Sequence, residues 1–316
     1  KILVYDMNSY YAECSTAMHI RKIKNGTHEM FETSNVLKYL NEYSSLNSFQ
    51  LADCQRNAVI KSLLSPMVII TGGPGVGKTT IEKAILYVFE RVAKNRNVLL
   101  LAPTGRAARR MSEQTGYSAQ TIHSALGYSC DDDGEEFMQT FNLEADLIII
   151  DEVSMMDQFI AAKLLKAIPS NCRVIFVGDP DQLPSVSAGN VLRDMIDSDV
   201  IPKVKLKKIM RQGEGSAVID NCGKVLAGKS NFIENESFVV RTCKSEEEAR
   251  AYLKSRYHGD PHNTQILSTT KKGVVGTMAL NKEFEDVEQP GIWFHGDHFK
   301  IGDKVVFTKN NYDSGY

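Results

Sequence analysis

The chain has 316 residues, 42% hydrophobic and 24% charged, with a formal net charge of −2. This length allows two domains, each burying its own core, and the balanced composition excludes a fibrous or low-complexity chain. No apolar run reaches the roughly 18 residues a membrane helix needs, so no membrane partner is expected; the near-neutral charge excludes a global basic field but not a local phosphate-binding groove.

Residues 1–48 are polar and weakly periodic, with "NVLKYLNEY" as a candidate helix and no chemistry that can be named. From about residue 49 strand-like and helix-like segments alternate. "MVIIT" (67–71) leads into a Gly-rich loop and the helical "TTIEKAILYVFERVAKN". "NVLLLAPT" (97–104) precedes "GRAARRM", "ADLIIIDE" (145–152) precedes "MDQFIAAKLLKAI", and "RVIFVGD" (173–179) ends in a Pro-bounded turn. Continuous apolar runs of this kind belong to parallel strands covered on both faces. The expected fold is α/β, a P-loop NTPase with a parallel-sheet first domain at 49–200. A second α/β unit is expected over 201–316, with "SFVVRTC", "TQILSTT" and "DHFKIGDKVVFTKNNY" as strands; "DDDGEE" (131–136) reads as a solvated acidic loop.

The six cysteines (Cys14, Cys54, Cys130, Cys172, Cys222 and Cys243) show no C-x-x-C pair and no metal-ligand spacing. They are expected as reduced thiols in a cytoplasmic protein, many of them packing residues. No signal peptide is visible, and the opening Lys1 points to a fragment of a longer chain.

"GGPGVGKT" (72–79) matches G-x-x-x-x-G-K-[ST] in full. Gly72, Gly73, Pro74, Gly75, Val76 and Gly77 form the loop whose backbone N–H groups face phosphates, followed by Lys78, Thr79 and Thr80 at the start of a helix. Lys78 is expected to reach the β/γ-phosphates of ATP and the Thr79 hydroxyl to bind Mg²⁺. The helix adds its positive N-terminal end to the same anion. In "LIIIDE", Asp151 is the second candidate Mg²⁺ ligand, and Glu152 is placed to orient or deprotonate the attacking water. The alternative is a pair of surface carboxylates at a strand-to-helix junction.

"GDPDQLPSV" (178–186) brings Asp179, Asp181 and Gln182 to one turn. If the strand ending at Val177 neighbours the one ending at Ile150, Asp179 and Gln182 arrive beside the γ-phosphate. An amide both donates and accepts, so Gln182 is expected to register that phosphate. A turn shaped by Asp and Pro alone is the alternative, and it accounts for Pro180 and Pro184. Basic residues cluster at Arg106, Arg109 and Arg110, at Lys203, Lys205, Lys207, Lys208 and Arg211, and at Lys271 and Lys272. Each cluster is either a phosphate-binding patch or a solvated face.

"LADCQRNAV", "GGPGVGKTT", "LLLAPTGRAARRM", "AQTIHSALG", "IIIDEVSMMD", "GDPDQLPSV" and "LKKIMRQ" occur in that order. Together they resemble the ordered motifs of superfamily 1 DNA helicases, with "APTGRAA", "TIH" and "DEVSM" closest to the RecD-like branch, the type of the alpha subunit of exodeoxyribonuclease V. The resemblance covers about 49–316. It implies ATP-dependent translocation on single-stranded DNA, 5′→3′, by two RecA-like domains. It implies that Gln55 contacts the adenine base and that Arg211 reaches the γ-phosphate as a fixed cationic fork. It implies that Pro103, Thr104, Thr121 and His123 lie along the DNA, beside the basic Arg106. The family's last motifs are missing after Asn311, so the second RecA-like domain is expected to be incomplete through C-terminal truncation. ATP–Mg²⁺ binding is expected of this chain, and neither hydrolysis nor robust unwinding is expected of it alone. Other subunits of an exonuclease complex are possible partners. Two further readings stay open at this stage: an ATP-binding regulatory subunit of such a complex, and a P-loop kinase or NTPase acting on a small molecule.

Overall fold

The computed structural model describes residues 4–93, 96–130, 136–138, 142–207, 216–257, 263–284, 290–294 and 297–305. The chain divides into two compact units, Lys1–Glu214 and Gly215–Tyr316.

The first unit opens with helices α1 (Met7–Lys24), α2 (Thr33–Leu46) and α3 (Asp53–Leu64). Then come β1 (Met67–Thr71), α4 (Lys78–Val92), β2 (Val98–Ala102), α5 (Gly105–Thr115), β3 (Ala119–Thr121) and the single turn α6 (Ile122–Ala125). A hairpin of β4 (Tyr128–Cys130) and β5 (Glu136–Met138) precedes β6 (Leu147–Ile150) and a 3₁₀ turn at Val153–Met155. The unit closes with α7 (Gln158–Ala167), β7 (Arg173–Gly178), α8 (Val191–Asp197) and β8 (Lys203–Lys205).

Six strands pair in the order β3-β2-β6-β7-β1-β8, and every pairing is parallel. All four strands expected from the apolar runs form. Alternate residues feed opposite faces. Met67, Ile69, Ile148, Ile150, Val174 and Phe176 pack with Ile20 and Ile23 of α1 and Leu164 of α7. Val68, Ile70, Ile149, Ile175 and Val177 pack with Val36 and Leu40 of α2, Leu63 of α3, and Ile81 and Phe89 of α4. Both faces are dry, which is why these strands read as unbroken apolar runs; each such side chain contributes about 1.5–3 kcal/mol.

The N-terminal segment, whose role the sequence left open, covers the sheet: α1 packs on α7 and α2 on α4, one on each face. The unit also extends past residue 200, because β8 hydrogen-bonds alongside β1 as an edge strand, Ile70 opposite Val204.

In the second unit α9 (Ala217–Leu226), α10 (Glu246–Arg256) and α11 (Thr277–Phe284) form, together with an antiparallel hairpin of β9 (Gly291–Phe294) and β10 (Asp297–Lys300). The strands expected in "SFVVRTC" and "TQILSTT" do not form. Val239 is 66% exposed and Leu267 88%, so neither run has a surface to pack on. Strand formation depends on such neighbours more than on β-propensity. Of "DHFKIGDKVVFTKNNY" the described residues are 297–305, and among them Asp297–Lys300 is strand; residues 306–316 lie outside the described residues. Among the described cysteine side chains all are free thiols and only Cys172 is buried, so packing explains one thiol rather than many.

Candidate functional site

The carboxyl ends of β1, β6 and β7 lie side by side, and the connections leaving β1 and β7 run to opposite faces: α4 joins one core and α8 the other. Such a switch point opens a crevice at the strand ends. The P-loop occupies it. Gly75 (φ 74°) and Gly77 (φ 88°) adopt left-handed backbone that a side chain would strain. A Cβ on Gly72 would stand 2.7 Å from Val76 and one on Gly77 2.5 Å from the Gln55 amide, so the loop is tightly wrapped on its inner side. Gly72 N–H donates to the Gly178 carbonyl at 3.3 Å, tying the loop to β7. Lys78 Nζ donates to the Gly72 carbonyl at 3.0 Å, which folds the ammonium back over the loop.

Gln55 is 6% exposed, and its amide is engaged at both ends. Its Oε1 accepts from Ala52 N–H at 3.1 Å, and its Nε2 donates to the Val76 carbonyl at 3.0 Å. Its observed partners are therefore the N-terminus of its own helix and the P-loop backbone.

β6 delivers the acidic pair. Asp151 N–H continues the ladder onto the Leu101 carbonyl at 2.9 Å, and Asp151 Oδ1 accepts from Glu152 N–H at 2.8 Å. Glu152 is held at φ 51°, an uncommon conformation for a residue with a side chain and one that gathers at functional sites. One oxygen each of Glu152 and Glu82, and the Ser154 hydroxyl, are buried without a hydrogen-bond partner. Burial pushes the Asp151 carboxyl up, while the bond from Glu152 N–H and the charges of Lys78 and Arg110 pull it back.

Glu82 was not singled out by the sequence reading. It lies one turn beyond Lys78 on α4 and is only 2% exposed. Burial, and then the neighbouring Asp151 charge, push its carboxyl up to about 8, with Lys78 opposing. The signal was present: "TIEKAI" sets a carboxylate among apolar positions on the inner face of a helix, where Glu is rarely left.

β7 lies next to β6, as the γ-phosphate expectation required. In the turn that follows, Asp179 is the buried member at 4% exposure; its Oδ1 accepts from Asp181 N–H at 3.1 Å, and its Oδ2 lies 3.9 Å from the position of a Cβ on Gly73. Gln182 is exposed on the same turn, its N–H donating to the Asp179 carbonyl at 3.2 Å. Gly178 is closely packed: a Cβ there would meet the Leu192 side chain at 2.9 Å and the Val153 amide nitrogen at 3.3 Å. Arg211 lies outside the described residues.

The residues expected along DNA gather at the ends of β2 and β3, which pair with Ala102 opposite Thr121. Thr104 caps α5 by accepting from Ala107 N–H at 3.2 Å, and Thr121 caps α6 by accepting from Ser124 N–H at 3.0 Å. Pro103 is half-buried beside Thr104, Arg106 is exposed in the first turn of α5, and the His123 ring meets Tyr128 edge-on at 5.2 Å. Of the basic cluster at 203–211, Lys203 is committed to Asp199 at 3.2 Å and the Ile196 carbonyl, while Lys205 and Lys207 are exposed.

Among the described residues no three His, Cys, Asp or Glu side chains converge closely enough to cage a metal ion. The donor set suits Mg²⁺ carried in on phosphates and touched by one hydroxyl and one carboxylate, the usual manner of this ion. The tight loop, Lys78 and the unpartnered Glu152 oxygen fit a nucleoside triphosphate with its magnesium.

A family model described as an AAA domain matches residues 55–188. The ATP-dependent RecD2 DNA helicase of Deinococcus radiodurans is 36% identical over 255 residues, 78% of this chain and 34% of that protein. The RecBCD enzyme subunit RecD of Buchnera aphidicola is 33% identical over 304 residues, 89% of this chain and 50% of that protein. The chain is a RecD-like relative of these helicase proteins. It spans from a third to a half of the length of the two relatives. A Pif1 helicase structure from Candida albicans aligns at 20% identity over 67% of this RecD-like chain and 56% of that one, with a TM-score of 0.43. No helix among the described residues is long and apolar enough to cross a membrane.

Proposed function

We propose that the protein is the ATP-hydrolysing core of a RecD-type DNA helicase, moving on single-stranded DNA in the 5′→3′ direction. The observation that carries this reading is the meeting, at three adjacent strand ends, of a complete P-loop, the Asp151–Glu152 pair and Asp179. Residues from 49 to just past β8 serve as the first RecA-like ATPase domain, and the following unit belongs to a second.

The backbone N–H groups of Gly73, Gly75, Val76 and Gly77 and the Lys78 ammonium bind the phosphates. Thr79 and Asp151 hold magnesium, which supplies neutralisation of charge on the β- and γ-phosphates. Glu152, with a free buried oxygen, orients and deprotonates the attacking water. Gln182 faces the terminal phosphate from the β7 turn, and Arg211 stabilises the charge that develops there. A Gln55 amide has two N–H groups, and the one not given to Val76 is left for the base. Pro103, Thr104, Arg106, Thr121 and His123 form the strip for single-stranded DNA along the β2–β3 edge.

The test is ATP hydrolysis by the full-length protein with and without single-stranded DNA. We expect strong stimulation, and a fall of roughly 100-fold or more in Lys78→Ala with folding intact. Turnover indifferent to DNA would overturn the motor reading in favour of a small-molecule NTPase. The Buchnera relative is named as a subunit of a multi-chain enzyme, which favours a second reading, an ATP-binding regulatory subunit of a nuclease complex. That reading requires no turnover under either condition, with nucleotide binding retained.

A further inference from the structure

The Thr79 hydroxyl donates its proton to Gln114 Oε1 at 3.1 Å. The partner comes from another helix, 35 positions along the chain, and sits in the last turn of α5. A threonine within a helix ordinarily satisfies itself on the carbonyl four residues back. Thr115, next to Gln114, does this onto Met111 at 2.7 Å. Thr79 has no helical carbonyl four residues back, because position 75 is a left-handed glycine of the loop. Gln114 supplies the acceptor instead.

A hydroxyl carries one proton and two lone pairs. With the proton fixed on Gln114, the Thr79 rotamer is set and both lone pairs turn away from α5. A hydroxyl that ligates a cation uses a lone pair and keeps its proton, so the contact to Gln114 and a contact to magnesium are compatible. The acceptor is an amide, which does not titrate, so the orientation holds across the physiological pH range. The same helix begins at its Thr104 cap with Arg106 in its first turn, and the Arg110 charge reaches Asp151. An 11-residue helix, about 16 Å long, behaves as one stiff body. It connects the strip assigned to DNA with the hydroxyl assigned to magnesium.

We propose that Gln114 is a positioning residue that orients the Thr79 hydroxyl toward the divalent cation of the bound nucleotide, making α5 a mechanical element of the magnesium site. This rests on the ATP–Mg²⁺ reading of the P-loop. Outer partners of this kind typically change metal affinity by about 10–100-fold when removed.

The experiment titrates a fluorescent ATP analogue (mant-ATP) into the protein in EDTA and then over a magnesium series, and reads nucleotide affinity and half-saturating magnesium separately. Gln114→Leu, of similar volume with no acceptor, should leave EDTA affinity within about twofold and raise half-saturating magnesium by about 10-fold. Gln114→Glu, which keeps an acceptor at the same reach, should hold half-saturating magnesium at or below the parent value. A magnesium response of Gln114→Leu within twofold of the parent would overturn the proposal. So would equal weakening by both variants, since that marks a packing role. Failure of the parent protein itself to bind the analogue in magnesium would instead bring down the ATP reading, and this inference with it.

Discussion

The two units build on the same raw material to opposite effect. In the first, "MVIIT", "LIII" and "RVIFVG" disappear into a sheet with helices on both faces, and Phe176 is fully buried at its centre. In the second, "SFVV" and "TQIL" also carry adjacent apolar residues, yet no strand forms and Leu267 remains 88% exposed. Among the described residues of the second unit, the buried hydrophobic side chains are Ala217 and Leu280. The difference teaches that an apolar run becomes a strand where neighbouring strands and covering helices already offer it a dry surface.

The largest expected effect tests that contrast. Phe176→Ala should cost the first unit about 3–5 kcal/mol in urea denaturation, and Leu267→Ala within about 0.5 kcal/mol. Comparable losses from the two variants would erase the distinction between the units.

The units also differ in how they hold charge, which predicts pH responses of opposite sign. Glu82 is buried and raised to about 8, so its folded form keeps a proton that the unfolded chain releases near 4.5. First-unit stability should therefore fall as pH rises from about 4.5 toward 8 and then level off. Glu82→Gln should flatten that dependence by up to about 1.4 kcal/mol per pH unit. Thermal melts of the nucleotide-free protein between pH 5 and 9 read it, and an unchanged slope would show that Glu82 is not the group responsible. Glu283 in the second unit runs the other way: hydrogen bonds from Lys254 and Arg250 hold it at about 2. Its stabilisation is present above about 4.5 and is lost as pH falls toward 2, so acid should loosen the second unit in hydrogen exchange and Glu283→Gln should remove that sensitivity.

Helix caps give a smaller and more even comparison. Thr104 caps α5 in the first unit, and Ser245 caps α10 in the second by accepting from Glu248 N–H at 3.2 Å. Thr104→Ala and Ser245→Ala should each cost about 1 kcal/mol locally, read as faster amide exchange in the first turn of the respective helix. Protection unchanged at either site would separate cap strength from unit. The smallest effect is expected from Arg109→Ala, which breaks an exposed i,i+4 pair with Glu113: within about 0.5 kcal/mol by the same measurement.

The amino-acid sequence by itself determined the parts whose causes are local. A P-loop is a contiguous stretch whose glycines relieve backbone strain, so Gly72–Thr80 could be assigned from the wording alone. The same holds for Asp151 and Glu152, because an apolar run ending in carboxylates marks a strand end, and for the parallel sheet, because strands covered on both faces lose their polar alternation. Tertiary structure alone decided what depends on partners remote in the chain. It put β8 beside β1, turned Gln55 onto the P-loop carbonyl of Val76, buried Asp179 while exposing Gln182, and brought Gln114 to Thr79. Hydrogen bonds and burial are set by which surfaces meet, and no periodicity along a single segment encodes the segment that will lie against it.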